Sequence, residues 1–138
     1  YQQTISGPLL DRIDIHVEVP AIAYDQLTQL EKGEPSSAIR ERVVRARKIQ
    51  QERYSKQPGT HCNANMRSKL LHQVCRLEQD AEHILRISMS DLNFSARAYD
   101  RILKVARTIA DLAAVETILP SHISEAIQYR TLDRQLWV

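Results

Sequence analysis

Two arginines stand where a phosphate could be met. Arg12 lies in the run Ser6-Gly7-Pro8-Leu9-Leu10-Asp11-Arg12-Ile13-Asp14, at the junction between a turn or short helix and an alternating segment. A guanidinium carries a fixed charge and a planar fork that matches phosphate oxygens. Held rigidly at the end of an element, Arg12 could reach a phosphate presented by a neighbouring subunit. The same residue beside Asp11 and Asp14 also suits a plain surface ion pair, and most such pairs are incidental. Arg97, in Phe94-Ser95-Ala96-Arg97-Ala98, falls in the first turn of a helix. The helix dipole is positive there, and acidic residues are the usual choice. With the free N–H groups of that turn, Arg97 would complete an anion site; the other reading pairs it with Asp91 or Asp100.

Further cations are weaker candidates. Arg47 and Arg40 fall on one stripe of a long helix, inside the arc of Ile39, Val43, Val44, Ala46 and Tyr54. Arginines within an apolar arc are paired, placed at an interface, or snorkelling; an interface is the favoured reading. Arg97, Arg101, Lys104 and Arg107 form a basic helix face, which is either a solvated surface or a nucleic-acid contact. His61, Cys62, His72 and Cys75 lie close in sequence but lack the paired-knuckle spacing of a zinc site, so they read as packing or loop residues and no metal is expected. With only three glycines, the chain holds no G-x-x-x-x-G-K-[ST] phosphate loop. The chain is not a complete nucleotidase.

These residues need elements to hold them. Ile13, Ile15, Val17 and Val19 alternate with Asp14, His16 and Glu18, the period of a β-strand, and Pro20 ends it. One strand cannot satisfy its own backbone, so its sheet must lie elsewhere. A linker follows to residue 35, with one helical turn expected at Tyr24 to Leu30. Ser36 and Ser37 offer N-caps for a helix to about Tyr54, stopped by Gln57-Pro58-Gly59-Thr60. Further helices are predicted near Asn65 to Cys75, from about Glu78 to Ser90, and from Ser95 to about Ala114. In the last of these, Ala98, Ile102, Val105, Ala106, Ile109, Ala110, Leu112 and Ala113 share an apolar arc. A final helix beyond Pro120, capped by Ser121, turns Ile123, Ala126 and Ile127 inward.

The bulk properties agree with a soluble helical protein. The 138 residues carry a net charge of +2, with 43% hydrophobic, 26% charged and 5% aromatic residues. No global field demands nucleic acid, and no apolar run is long enough to span a membrane. Cytosolic placement with reduced cysteines is expected, and a start at Tyr1 suggests an excised fragment.

The Ile5 to Asp14 segment resembles the arginine-finger segment of the magnesium-chelatase and replicative-helicase branch of AAA+ ATPases. Ser95-Ala96-Arg97, followed by Ile102 to Leu112, is similar to the sensor-2 helix of that branch. The ending, with Glu125-Ala126-Ile127-Gln128-Tyr129-Arg130 and Leu132-Asp133-Arg134, is similar to the tail of the ComM, magnesium-chelatase-like proteins. The resemblance implies an all-α helical lid preceded by one orphan β-strand of the α/β core. Residues 1–20 would end the core, 21–35 would link, and 36–138 would form the lid.

On the same resemblance, Arg12 is the catalytic finger acting on ATP of the adjacent protomer, and Arg97 is the nucleotide-binding sensor 2, serving its own or a neighbouring site. Arg40 and Arg47 are interface candidates; Arg101, Lys104 and Arg107 remain the candidate basic face. ATP and Mg²⁺ would be bound by the full-length protein and not by this fragment. The partners implied are neighbouring protomers of a homo-oligomeric, hexameric ring, and DNA on which the full-length motor drives branch migration. The alternatives are the lid of a metal-insertion ATPase of the chelatase type, and a stand-alone helical DNA-binding module.

Overall fold

Helix boundaries in this protein follow the caps that its sequence supplies. The computed structural model describes residue 9, residues 12–21 and residues 33–130, and the observations below concern these. The expected turn at Tyr24 to Leu30 and the Leu132-Asp133-Arg134 tail lie outside them. Five helices follow one another: α1 (Ser36–Tyr54), α2 (Ser68–Val74), α3 (Gln79–Asp91), α4 (Ala96–Leu112) and α5 (Pro120–Gln128), with a short 3₁₀ turn at Asn63–Asn65. The described residues form no β-ladder, only an isolated parallel bridge between Leu77 and Ile118. The fold is all-α, as the sequence predicts.

α1 starts where expected, but its N-cap is Pro35 rather than a serine. The Pro35 ring fixes a φ of −67°, and its carbonyl accepts from the N–H groups of Ala38 and Ile39. The helix ends at a turn in which Pro58 precedes Gly59 at φ +76°. That left-handed position favours glycine, as in a type II turn. α4 is capped as predicted: the Ser95 Oγ accepts from the Ala98 N–H at 3.1 Å. α5 differs again. Its N-cap is Leu119, and Ser121 sits inside the first turn. The imidazole of His122 does the capping instead, its Nδ1 accepting from the Leu119 N–H at 3.1 Å.

Both sharp helix exits use a residue at positive φ. Asn93 (φ 48°) follows α3, and the Phe94 N–H then bonds back to the Met89 carbonyl. Ala114 (φ 57°) follows α4, with the Val115 N–H on the Ala110 carbonyl. These are Schellman-type ends, which favour Gly or Asn; Ala114 holds its place against its own Cβ.

α4 is the central element. Ala98, Ile102, Ala106 and Ala110, each four residues from the last, make one fully buried stripe. The small alanines let neighbours approach closely, and α4 packs against α1, α2, the 3₁₀ turn and α5. Leu71, Leu85, Ile118, Ile123 and Ala126 complete the core. Burial of each such Leu or Ile is worth about 1.5–3 kcal/mol. Ile123, Ala126 and Ile127 face inward as expected. Leu112 and Ala113, placed in the apolar arc by angle alone, are exposed at the end of α4.

α1 also departs from its predicted face. Ala46, Gln50 and Tyr54, four residues apart, are buried. Ile39 lies seven residues before Ala46 on the same stripe, yet it is 43% exposed, and Val43 and Val44 are exposed too. The first turns of α1 therefore run beyond the packed part of the domain.

Candidate functional site

The segment that carries Arg12 lies on the helical domain, and three contacts hold it there. The Arg130 Nη1 donates to the Ile13 carbonyl at 2.7 Å, the His16 N–H donates to the Tyr129 carbonyl at 2.8 Å, and Arg101 pairs with Asp14. Arg130 is buried just past the end of α5, and its long stem packs inside while its head meets a carbonyl. Arg101 lies one turn beyond Arg97 on α4. The N-terminal end of α4 is thus tied directly to the chain two residues from Arg12.

Arg12 itself is exposed and in a turn, its N–H bonded to the Leu9 carbonyl. Arg97 is exposed in the first turn of α4. The structure brings both predicted phosphate-contacting arginines onto one structural unit, each with its side chain at the surface. Arg40 and Arg47 are also exposed, on the projecting half of α1 beside Ile39, Val43 and Val44. The neighbouring Arg42 pairs with Glu34, which holds the Glu34 carboxyl below its ordinary range.

Of the alternating segment only one side chain is buried, and it is a polar one; Asp14 and Glu18 are exposed. His16 is buried, whereas Ile13, Ile15, Val17 and Val19 are exposed, Val19 at 81%. Among the described residues no strand pairs with it. Four exposed apolar residues at alternate positions make a row that suits a face another layer covers.

The expected basic face is corrected at Arg107. Arg101 is engaged with Asp14, and the Lys104 Nζ donates to the Ala64 carbonyl at 3.0 Å. Arg107 is not on the surface at all: it is 1% exposed. Its Nε bonds Asp111 Oδ1 at 3.1 Å, and its terminal nitrogens donate to the carbonyls of Val115 (2.5 Å) and Glu116. The physical reason is that Asp111, one turn on, has its side chain wholly buried and needs a cation, while the turn after α4 exposes inward carbonyls. A buried carboxylate without such partners would be strongly penalised.

Asp111 anchors a wider network that sequence reasoning missed. Arg53 of α1 grips it with both terminal nitrogens, at 2.8 and 2.5 Å. Asn63 Nδ2 donates to Asp111 Oδ2 at 2.9 Å and to Thr108 Oγ1 at 3.0 Å. Asn63 Oδ1 accepts from Tyr54 Oη at 2.7 Å and from Arg53 Nη1 at 3.2 Å, and its N–H donates to Gln50 Oε1. The buried amide is satisfied at every position, which its 2% exposure requires. The bond from Arg53 to Asp111 raises the Arg53 pKa, and burial pushes the Tyr54 hydroxyl up. One signal was available: an acidic residue in the last turn of α4 opposes the helix dipole, which implies a partner. Nothing marked Asn63.

The cysteines and histidines do not gather. The described residues contain no group of three or more His, Cys, Asp or Glu placed to hold a metal. Cys62 Sγ meets Asn65 Oδ1, and Cys75 is buried with its thiol pushed up to about 12, chiefly by burial. His61 lines a concavity at the end of α1 with Gln51, Tyr54 and Thr60. No predicted phosphate-contacting residue lines it. No helix among the described residues is long and apolar enough to cross a membrane.

Comparison with known proteins accounts for nearly the whole chain. Residues 33–130 match the family described as magnesium chelatase, subunit ChlI C-terminal, and residues 1–27 match magnesium chelatase, subunit ChlI. The chain is 40% identical over 137 residues to Competence protein ComM of Haemophilus influenzae, covering 99% of this chain and 26% of that protein. It is 38% identical over 137 residues to the uncharacterized protein YifB of Escherichia coli, again 99% of this chain and 26% of the relative. An uncharacterized protein of Mycobacterium tuberculosis, Rv2897c, is 32% identical over 130 residues, 94% of this chain and 25% of its own length. The chain spans about a quarter of the length of these relatives.

Proposed function

Since this chain belongs to the magnesium chelatase ChlI C-terminal family, with ComM-like relatives, we propose that it is the lid and arginine-finger region of an AAA+ ATPase that works on DNA as a ring. In this reading Arg12 projects into the ATP site of the adjacent protomer and neutralises charge developing on the γ-phosphoryl group. Such an arginine is worth about 10³–10⁵ in rate in well-studied NTPases. Arg97 contacts the γ-phosphate from the first turn of α4, where the helix N-terminus adds its own positive field. ATP and Mg²⁺ are held by the part of the full-length protein that this chain does not include.

The observation that carries the reading is the joint placement of Arg12 and Arg97. Both are exposed, and the Arg101–Asp14 pair links the elements that bear them. The outward apolar row Ile13, Ile15, Val17 and Val19 supports a place for the segment against an α/β core. The exposed half of α1, with Arg40, Arg47, Ile39 and Val43, suits contact with a neighbouring protomer of a hexameric ring. Branch migration during DNA uptake and recombination is the motor activity proposed, on the strength of the ComM relative.

A second reading keeps the architecture and makes the parent a metal-insertion motor, which the chelatase description of the family favours. Tetrapyrrole-pathway proteins captured by the full-length protein would select it. The stand-alone DNA-binding module is less favoured, because Arg107 of its stripe is buried.

The test is ATP hydrolysis by the full-length protein with Arg12→Ala. The expected result is a loss of about a thousandfold or more in kcat with nucleotide binding retained. Hydrolysis at the unaltered rate would refute the assignment.

A further inference from the structure

Among the described residues of the Arg12 segment no apolar side chain is buried, yet the segment lies against the helical domain. Ile13, Ile15, Val17 and Val19 are all exposed, so these four residues do not seat it. Polar, directional contacts hold it from Ile13 to His16. Arg130 donates to the Ile13 carbonyl, the residue directly after Arg12. Arg101 holds Asp14, the next one along, and the His16 N–H closes onto the Tyr129 carbonyl. All three anchors come from the two helical elements most deeply tied to the core: α4, and the turn at the end of α5.

We propose that Arg130 and Arg101 are positioning residues that clamp the Arg12 segment to the helical domain, so that Arg12 and Arg97 travel as one rigid body. The inference rests on the reading of Arg12 as a finger and adds its regulation. Arg97 and Arg101 are four residues apart on α4, about 6 Å along the axis. A displacement of α4 caused by phosphate at Arg97 is therefore delivered through Arg101 and Asp14 to the chain beside Arg12. A nucleotide sensed at one end of the clamp sets the position of the finger at the other.

The chemistry of the two anchors differs, which makes them separable. Arg130 is buried, and its bond to a carbonyl is charge-assisted and shielded from water. The Arg101–Asp14 pair is partly exposed, with side chains 26% and 51% accessible, so it is weaker and sensitive to salt. The buried anchor fixes the segment; the exposed one tunes its angle.

Two readouts in the full-length protein test this, with Arg12→Ala as the control. The first is hydrogen exchange of the His16 amide, which reports the clamp without reference to ATP. The second is kcat and KM for ATP. Arg130→Met should raise His16 exchange about tenfold, the scale of one lost charge-assisted hydrogen bond, and lower kcat with little change in KM. Because Arg130→Met removes a buried group and can impair folding, Asp14→Arg and Arg101→Asp provide a second route. Each single change should raise exchange and lower kcat by a few-fold, and the double swap should restore both. Unchanged His16 exchange in every variant would overturn the clamp. Raised exchange with normal kcat, where Arg12→Ala is inactive, would overturn its role in positioning. An active Arg12→Ala protein would remove the finger reading and the catalytic half of the inference together, while the exchange data still decide the clamp.

Discussion

Replacing Asp111 by asparagine keeps its shape and removes its charge, so the change isolates what the carboxylate does. In the native protein it accepts from Arg53 at 2.8 and 2.5 Å, from Arg107 at 3.1 Å and from Asn63 at 2.9 Å, with its own side chain wholly buried. Removing one partner of a buried ion pair costs about 3–5 kcal/mol, because a desolvated charge is left behind. Two features place this case at the low end. Arg107 keeps the carbonyls of Val115 and Glu116, and the Arg53 side chain, 21% exposed, can turn toward water. The expected loss is therefore about 3 kcal/mol. In urea, at a slope of about 2 kcal/mol per molar, the midpoint of unfolding should fall by about 1.5 M with the slope unchanged. Arg53→Ala, which leaves the buried carboxylate with Arg107 and Asn63 as its remaining partners, should cost about 2 kcal/mol. Arg107→Met combined with Asp111→Asn should lose less than the two singles added together, by about 1–3 kcal/mol. An Asp111→Asn loss below about 1 kcal/mol, or strict additivity, would show that the network does not hold α1 to α4.

Four further outcomes follow from the caps, the turns and the buried groups. Ala114→Gly should stabilise the protein by about 1 kcal/mol, since Ala114 sits at φ 57° with a Cβ that disfavours it; a destabilising effect on thermal unfolding would contradict this. Ser95→Ala should destabilise by about 1 kcal/mol through loss of the bond from the Ala98 N–H, read by the same assay. His122 has its pKa lowered from the ordinary 6.5, by burial first and by the Arg107 charge second. The unfolded chain then binds the proton more readily than the folded one, so the stability at neutral pH should fall as pH drops through 6.5 and below. His122→Asn should flatten that slope, and an unaltered slope would exclude His122 as its source. Cys75, with its thiol pushed up to about 12, should resist alkylation at pH 8 in the native protein while Cys62 reacts, as mass mapping of the labelled sites would show.

The positions of the helices were legible because they depend on local signals. The Pro58-Gly59 turn, the Ser95 cap and the inward set Ile123, Ala126 and Ile127 all stand as the sequence predicts. The caps at Pro35 and Leu119 were not, because a serine in the first turn looks like a cap until the backbone shows which residue leaves the helix. His122 capping through its ring nitrogen has no common sequence signature. The family was legible as well, from the Arg12 and Arg97 segments and the Glu125 to Arg130 run.

What stayed hidden was the environment of charged side chains. By helical angle Arg107 belongs with Arg97, Arg101 and Lys104, yet it is buried, because the angle says nothing about the carbonyls of Val115 and Glu116 or about Arg53 arriving from α1. The reverse error occurred on α1. Ile39 and Val43 lie near the same stripe as Ala46 and Tyr54, but periodicity cannot say where the neighbouring helix stops, and they remain exposed. The contact between Arg130 and Ile13 joins residues 117 apart, and no local pattern announces it.

The central claim is that Arg12 acts on the ATP of a neighbour. The decisive measurement is hydrolysis by mixed full-length rings, in which Arg12→Ala protomers are combined with protomers that retain Arg12 but cannot hydrolyse their own ATP. Each protein alone should be inactive, and the mixture should regain part of the activity, because at some mixed interfaces an intact finger then faces an intact site. A mixture as inactive as its components, or an Arg12→Ala protein that hydrolyses ATP unaided, would contradict the account.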